Sequence, residues 1–403
     1  MSEKKIVGRS EQTEVSVPYG PLGIVSLAGE ETFVKEVDGF LEKWRAQRND
    51  LEKDHILFTG YERDSYIVGS KTPRFGSGEG KGVFEESVRG YDLYFISDVT
   101  NSSITYKVNG MDNHYSPDDH YADLKRLISA SAGRAKRLTV IMPYLYEGRQ
   151  DARNERESLD CAQMLQELEG MGVSTIITFD AHEPRVQNAI PLTTFESVTP
   201  VHQHIKALLN TVPDLTIDTE HMMVISPDEA GMPRAIFFAN NLGLDMGMFY
   251  KRRDYSAEGN PVVAFEFLGS DVAGKDVLIV DDMISSGGTM IDVAKSLKKR
   301  GANRVFCFAS FGLFTGGLNK FDDAFELGII DRVFTTDLIH RPDGLVGKPW
   351  YGEVKLAKYV ALIIDTLNHN QSMGPLLAPY ERIANKIADY KEKQAEKKTQ
   401  EQE

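Results

Sequence analysis

The stretch VLIVDDMISSGGTMIDVAKSLKKRGA, residues 277–302, decides the fold class. Val277 to Val280 form an apolar, β-rich run of the kind that fills a strand buried on both faces. Met290, Val293, Ala294 and Leu297 then recur at helical spacing, and Gly301 supplies a C-terminal stop. Between strand and helix stand Asp281, Asp282, Ser285, Ser286, Gly287, Gly288 and Thr289. Glycines there let successive backbone N–H groups converge on an anion, while a helix N-terminus adds partial positive charge and the hydroxyls add donors. That combination suits a phosphate monoester. The two adjacent carboxylates can accept hydrogen bonds from vicinal sugar hydroxyls, or hold a metal.

The same strand-then-helix grammar repeats on either side. YDLYFISDV, RLTVIMPYL, STIITFD, HMMVISPD and RVFCFASFG read as buried strands, and ESLDCAQMLQELEGMG as an intervening helix. Such alternation predicts an α/β fold with parallel sheets, whose ligands sit beyond the carboxyl ends of the strands. A chain of 403 residues accommodates two ordinary cores. PLTTFESVTP (191–200) reads as the crossover between them. A first domain is expected over 1–200 and a second over 201–352. An amphipathic helix starting near Glu353 and ending near Asn368 is expected to return to the first domain, within a returning segment of about 353–380. Residues 381–403 form a polar tail, read as a solvated helix end or a disordered segment. Tyr106 to His120 reads as a long loop.

Composition excludes several classes. The formal net charge of -14 argues against a nucleic-acid partner, because such binding depends on Lys and Arg neutralising phosphates. No apolar run approaches the roughly 20 residues of a membrane span. None follows the lysines of MSEKKIVGRSEQ, so no signal peptide is expected. Cys161 and Cys307 are too few for a disulfide framework or a thiolate zinc site, which points to the cytosol.

Four further segments carry chemistry. FDAHEPRVQN places His182 just beyond a strand. PYLYEGRQDAR places Arg149, Gln150, Asp151 and Arg153 at another strand end. VISPDEAGMPRA offers Asp228, Glu229, Ala230 and Gly231, whose small members let backbone amides approach an anion. FYKRRDYSAEGNP opens with Lys251, Arg252 and Arg253 and continues as a polar, Gly- and Pro-containing stretch suited to a mobile lid.

Together these segments resemble the ribose-phosphate pyrophosphokinase family, in order and spacing, from about Phe75 to about Thr366. The resemblance implies two phosphoribosyltransferase-like domains, each a mainly parallel sheet flanked by helices. It implies an enzyme that moves the β,γ-diphosphoryl group of ATP to the 1-hydroxyl of ribose 5-phosphate, giving phosphoribosyl pyrophosphate and AMP. Asp281 and Asp282 would bind the ribose hydroxyls, and Ser285, Ser286, Gly287, Gly288 and Thr289 the 5-phosphate. Asp228, Glu229, Ala230 and Gly231 would form the pyrophosphate loop, and Lys251 and Arg253 the catalytic pair. Arg149, Gln150, Asp151 and His182 would bind ATP, with RFGSGEGKG supplying Phe75 and Glu79 to the adenine. Magnesium, or manganese in its place, would be held by His182 and Asp228. The family pattern also implies dimers assembled into a larger homo-oligomer such as a hexamer. Two departures stand out: Ser285 where many synthetases carry an acidic residue, and Ser77 where Asn is common. A phosphoribosyltransferase would need only the loop at Asp281. A catalytically silent regulatory homologue would be expected to lack Lys251, Arg253, His182 or Asp228, all of which are present.

Overall fold

A computed structural model describes residues 17–51, 60–253 and 262–400. In chain order the first part comprises β1 (Leu22–Ser26), α1 (Glu31–Leu51), β2 (Ser70–Lys71), β3 (Val83–Phe84), β4 (Asp92–Ile96), β5 (Thr105–Val108), β6 (Met111–His114), α2 (Pro117–Ser131), β7 (Arg137–Ile141), α3 (Asp160–Gly170), β8 (Thr175–Phe179) and β9 (Thr194–Val198). The second comprises α4 (Val201–Thr211), β10 (Met222–Ser226), α5 (Met232–Leu242), β11 (Asp245–Arg253), β12 (Val262–Leu268), β13 (Asp276–Ile284), α6 (Gly288–Lys299), β14 (Val305–Gly312), α7 (Asn319–Glu326), β15 (Arg332–Thr336) and β16 (Tyr351–Val354). The chain ends through α8 (Ala357–Asn368), α9 (Gly374–Leu377) and α10 (Tyr380–Gln400).

These elements form two compact units. One holds the described residues up to 178 together with 183–198 and 357–378; the other holds 179–182, 199–356 and the chain from 379. The first has a five-stranded sheet in the order β1-β4-β7-β8-β9, with β1, β4, β7 and β8 successively parallel. Its core is built where the apolar runs lie: Leu93, Phe95, Val140 and Ile176 from the strands meet Leu124, Leu127, Leu165 and Leu168 from α2 and α3. The segment 191–200 supplies the edge strand β9 rather than a plain crossover. Tyr106 to His120 is not a loop either. It is the antiparallel hairpin β5–β6 followed by the start of α2, which Ser116 opens with a capping box to Asp119.

The C-terminal return is specified by polar side chains as well as apolar ones. α8 begins at Ala357, later than its sequence pattern predicts, because Tyr351–Val354 pair with β15 as a strand. α8 packs on α1, where Arg45 Nη2 donates to Asn368 Oδ1 at 2.6 Å and Arg48 Nη2 meets Asp365 Oδ2 at 2.8 Å. Asn368 Nδ2 also donates to Asp92 Oδ2 at 2.8 Å, tying the helix to the first strand residue of β4.

The second unit has a seven-stranded sheet in the order β12-β11-β10-β13-β14-β15-β16. Only the β11–β12 edge is antiparallel; the other pairs are parallel. Every residue of β10 and β14 is buried, which accounts for their largely apolar character. The charged tail is helical and docked. Ile383 and Tyr390 of α10 are buried, and Tyr390 Oη donates to the Val212 carbonyl at 2.7 Å while accepting from Leu215 N at 2.9 Å.

One buried group in this unit makes stability depend on acid. His204 of α4 lies among Phe238 and Phe308, is 2 % exposed, and neither ring nitrogen meets a hydrogen-bond partner among the described residues. Burial, reinforced by the nearby Arg234 charge, lowers its pKa from 6.5 to about 3. The folded state therefore refuses a proton that the unfolded chain accepts, so the contribution is complete above pH 6.5 and is lost as pH falls toward 3. We expect unfolding midpoints to drop over that interval by more in the wild type than in His204→Phe, which fills the same aromatic site with no titrating group. Parallel acid sensitivity of the two proteins in urea melts at pH 7 and pH 4.5 would rule the assignment out.

Candidate active site

The strand that holds the apolar run Val277 to Val280 reaches Ile284, so Asp281 and Asp282 are strand residues. β13 pairs with β14 through Asp281↔Ala309, Met283↔Phe311 and Ile284↔Gly312. Beyond the strand, Leu313 N donates to the Ile284 carbonyl at 2.9 Å and Thr315 N to the Ser285 carbonyl at 3.0 Å. The chain then turns at Gly287, with φ of +79°, a left-handed conformation that costs glycine little. A side chain there would also run into the Phe321 ring. Gly288 opens α6. The loop of Ser285, Ser286, Gly287, Gly288 and Thr289 is thus fixed by strand, neighbouring backbone and helix before any ligand arrives. The opening N–H groups of α6 have no helical acceptor and suit an anion.

Alternation along β13 gives the two carboxylates different surroundings. Asp282 is 4 % exposed. Its Oδ2 lies 2.6 Å from His182 Nδ1, and its Oδ1 accepts from Met283 N at 2.8 Å. Burial favours its protonation, but the His182 bond and the Arg234 charge outweigh it and hold the carboxyl below the usual range. Asp281 accepts from Asp282 N at 2.9 Å. Burial first, then the charge of Asp282, pushes its carboxyl well above the usual range, and Asp228 adds to the push. The two carboxyls thus interact and titrate as a pair, with Asp282 the more readily ionised of the two.

His182 reaches Asp282 because residues 179–182 belong to the second unit. Asp180, in a left-handed conformation with φ of +46°, receives Arg234 Nε at 2.8 Å on each oxygen and Ser310 Oγ at 2.7 Å. Arg234 is almost fully enclosed, its side chain 11 % exposed. Its charge also acts on Asp282 and Asp281. Asp180, Arg234 and Ser310 were not singled out from sequence. The signal for Arg234 was a lone cation in the otherwise uncharged helix MPRAIFFANNL.

Asp228 lies beyond β10, the strand beside β13. Its Oδ1 accepts from Gly231 N at 3.1 Å, and its carbonyl accepts from Ser226 Oγ at 2.6 Å. Glu229 and Ala230 are exposed and Gly231 is buried, where a Cβ would stand 2.9 Å from Ser226 Oγ. Lys251 and Arg253 end β11, opposite Phe265 and Val262; the lid-like residues 254–261 lie outside the described residues. The second unit thus brings together Asp228, Asp281, Asp282 and His182 with the phosphate-type loop.

The remaining candidates belong to the first unit. Arg149 and Arg153 are exposed beyond β7, Asp151 is half-buried, and Gln150 Nε2 donates to the Ser158 carbonyl at 2.9 Å. Phe75 and Glu79 bracket a closed turn in which Phe75 N donates to the Glu79 carbonyl at 2.7 Å and Gly78 N to the Phe75 carbonyl at 2.9 Å. Ser77, the departure from the common Asn, bonds Glu79 Oε2 at 2.8 Å. Both cysteines are buried, and burial pushes both thiols up, so neither is a thiolate nucleophile. Among the described residues no three His, Cys, Asp or Glu side chains converge to hold a metal. No described helix is long and apolar enough to cross a membrane.

Comparison with known proteins matches residues 47–172 to the family described as the N-terminal domain of ribose phosphate pyrophosphokinase. Residues 194–327 match the phosphoribosyl transferase domain. The ribose-phosphate pyrophosphokinase of Pasteurella multocida is 33% identical over 277 residues, covering 66% of this chain and 77% of the relative. That of Vibrio parahaemolyticus is 30% identical over 311 residues, covering 75% and 89%. The crystal structure of phosphoribosylpyrophosphate synthetase from Mycobacterium smegmatis superposes with a TM-score of 0.66 at 20% identity, over 87% of this chain and 99% of that one. With the two mainly parallel sheets and the strand–turn–helix of residues 276–299 already in view, the chain belongs to the ribose-phosphate pyrophosphokinase family.

Proposed function

We propose that this protein transfers the β,γ-diphosphoryl group of ATP to the 1-hydroxyl of ribose 5-phosphate, giving phosphoribosyl pyrophosphate and AMP. The observation that carries the reading is the second unit's preformed turn of Ser285 to Thr289 at the N-terminus of α6, with the Asp281–Asp282 pair, His182 and the Asp228 loop beside it. Ser285 to Thr289 take the 5-phosphate. Asp281 and Asp282 take the ribose hydroxyls, each carboxylate oxygen having a second acceptor position beyond the bonds described. Asp228 to Gly231 cradle the moving diphosphate. Residues 1–200 with the returning C-terminal segment supply Phe75, Glu79, Arg149, Gln150 and Asp151 to ATP, and residues 201–352 the sugar phosphate and catalytic loop.

The donor set fits a magnesium ion that takes most of its oxygens from phosphates and water, since the protein offers few ligands. His182 and Asp228 would hold it, with Asp282 orienting the imidazole. When bound it would neutralise charge on the transferred group. The chain's own residues orient the sugar hydroxyl and stabilise the in-line displacement, and Lys251 and Arg253 meet the charge that develops on the bridging oxygen and diphosphate. Self-association into a dimer-based homo-oligomer in the cytosol belongs to the same proposal.

The test is chromatographic. AMP should form from ATP only when ribose 5-phosphate and magnesium or manganese are both present. Phosphoribosyl pyrophosphate consumption with an added base would instead indicate a transferase, and nucleotide binding without turnover a silent homologue. Lys251→Ala should lower kcat by about 10²–10³ with little change in the KM for ATP, as for loss of a transition-state contact. Near-normal turnover of that variant would remove Lys251 from the mechanism.

A further inference from the structure

The β5–β6 hairpin lies against the Phe75–Glu79 turn. Its outer face is solvated: Thr105 and Lys107 are exposed, while Tyr106 and Val108 are half-buried. Asn109 N donates to the Gly76 carbonyl at 2.8 Å. A Cβ at Gly78 would stand 3.1 Å from Val108 Cγ2, so turn and hairpin are in close packing. At the root of the turn, the Arg74 guanidinium lies 4.8 Å from the Tyr106 ring centroid and 4.9 Å from that of Tyr115. Arg74 Nη1 donates to Asp123 Oδ1 at 2.6 Å. Both hydroxyls are anchored in turn, Tyr106 on Asp119 at 2.9 Å and Tyr115 on Asp123 at 3.2 Å. The Arg74 side chain is 7 % exposed, so this cation is buried between two aromatic faces and a carboxylate.

All of this order supports a turn that presents an exposed aromatic ring. Phe75 is 55 % exposed, with Lys81 Nζ 5.8 Å from its ring centroid and the Glu79 carboxylate held by Ser77. We propose that the β5–β6 hairpin, through Tyr106 and Arg74, is a specificity element that holds the Phe75–Glu79 turn in the shape that receives the purine base of the nucleoside triphosphate. The inference rests on the reading of that turn as the base site. A ring and carboxylate held in place before binding lose less conformational freedom when the base arrives. A rigid edge also discriminates purines better than a mobile one, because a mismatched base cannot be accommodated by movement.

The test uses the full chain. Tyr115 N donates to the Ile104 carbonyl at 2.9 Å, so residues 105–114 can be replaced by an Asn-Gly turn without stretching the ends. This variant, Tyr106→Ala, Tyr106→Phe and Phe75→Ala are compared with wild type for ATP and GTP affinity by calorimetry, for ribose 5-phosphate affinity, and for kcat. Hairpin replacement and Tyr106→Ala should each weaken ATP about tenfold and narrow the ATP-over-GTP preference. Both should keep kcat at saturating ATP and ribose 5-phosphate affinity, and Tyr106→Phe, which keeps the ring over Arg74, should restore most of the loss. If Phe75→Ala weakens ATP but both hairpin variants bind ATP and GTP as wild type does, the hairpin inference fails and the base site stands. If Phe75→Ala binds ATP normally, the base-site reading fails and takes the inference with it. Should the replacement not fold, the two Tyr106 variants decide alone.

Discussion

Gly288→Val removes measurable ribose 5-phosphate binding while leaving the protein folded. The nearest atom that a Cβ at Gly288 would meet is Ser286 Oγ, at 3.9 Å, so the added side chain occupies the space in front of the helix rather than the core. That space lies at the N-terminus of α6, whose opening amides have no helical acceptor, beside Ser286 Oγ. A charge-assisted hydrogen bond contributes about 1.5–3 kcal/mol, so losing two lowers affinity by roughly 10²–10⁴. Ribose, lacking the dianion, should bind as poorly to wild type as ribose 5-phosphate does to the variant. Gly287 offers the contrast, because its φ of +79° and the Phe321 ring make it a structural position. Calorimetry with both sugars, beside a thermal melt of Gly288→Val, checks the prediction. Normal sugar-phosphate binding by the variant would mean that this loop is not the phosphate site.

Arg234→Met carries the second large effect, on stability. Removing the guanidinium leaves Asp180 enclosed with Ser310 as its remaining side-chain donor among the bonds described, and strips a positive charge from beside Asp281 and Asp282. Breaking a buried pair from one side costs about 3–5 kcal/mol, because the abandoned charge stays buried. For a unit of this size that lowers the unfolding midpoint by roughly 10 °C. Adding Asp180→Asn should recover part of the loss, since an amide tolerates the site without a counter-charge. A shift of under about 2 °C in Arg234→Met would show that Asp180 does not depend on this partner.

What could be read from sequence followed the strength of local pattern. The strands at 92–96, 137–141, 175–179, 222–226, 276–284 and 305–312 announced themselves because a strand covered on both faces must be continuously apolar. The turn between β13 and α6 was legible because its glycines serve one local geometry. Residues 105–114 hid because Lys107, Asn109, Asp112 and Asn113 face solvent and only Tyr106 and Val108 pack inward. The tail hid because α10 docks through few apolar residues, Ile383 and Tyr390 among them. β11 ran past the apolar MGMF into Lys251–Arg253 because antiparallel pairing with β12, not side-chain propensity, extends it. Asp180 and Arg234 are far apart in the chain, and only the tertiary fold makes them partners.

Phosphorus NMR of a reaction containing ATP, ribose 5-phosphate and magnesium distinguishes transfer of a diphosphoryl group from transfer of a single phosphoryl group. The β- and γ-phosphorus signals of ATP should disappear together and reappear as the diphosphate of phosphoribosyl pyrophosphate, in equal amount with AMP. Formation of ADP with a singly phosphorylated sugar, or loss of ATP that does not depend on ribose 5-phosphate, would contradict diphosphoryl transfer.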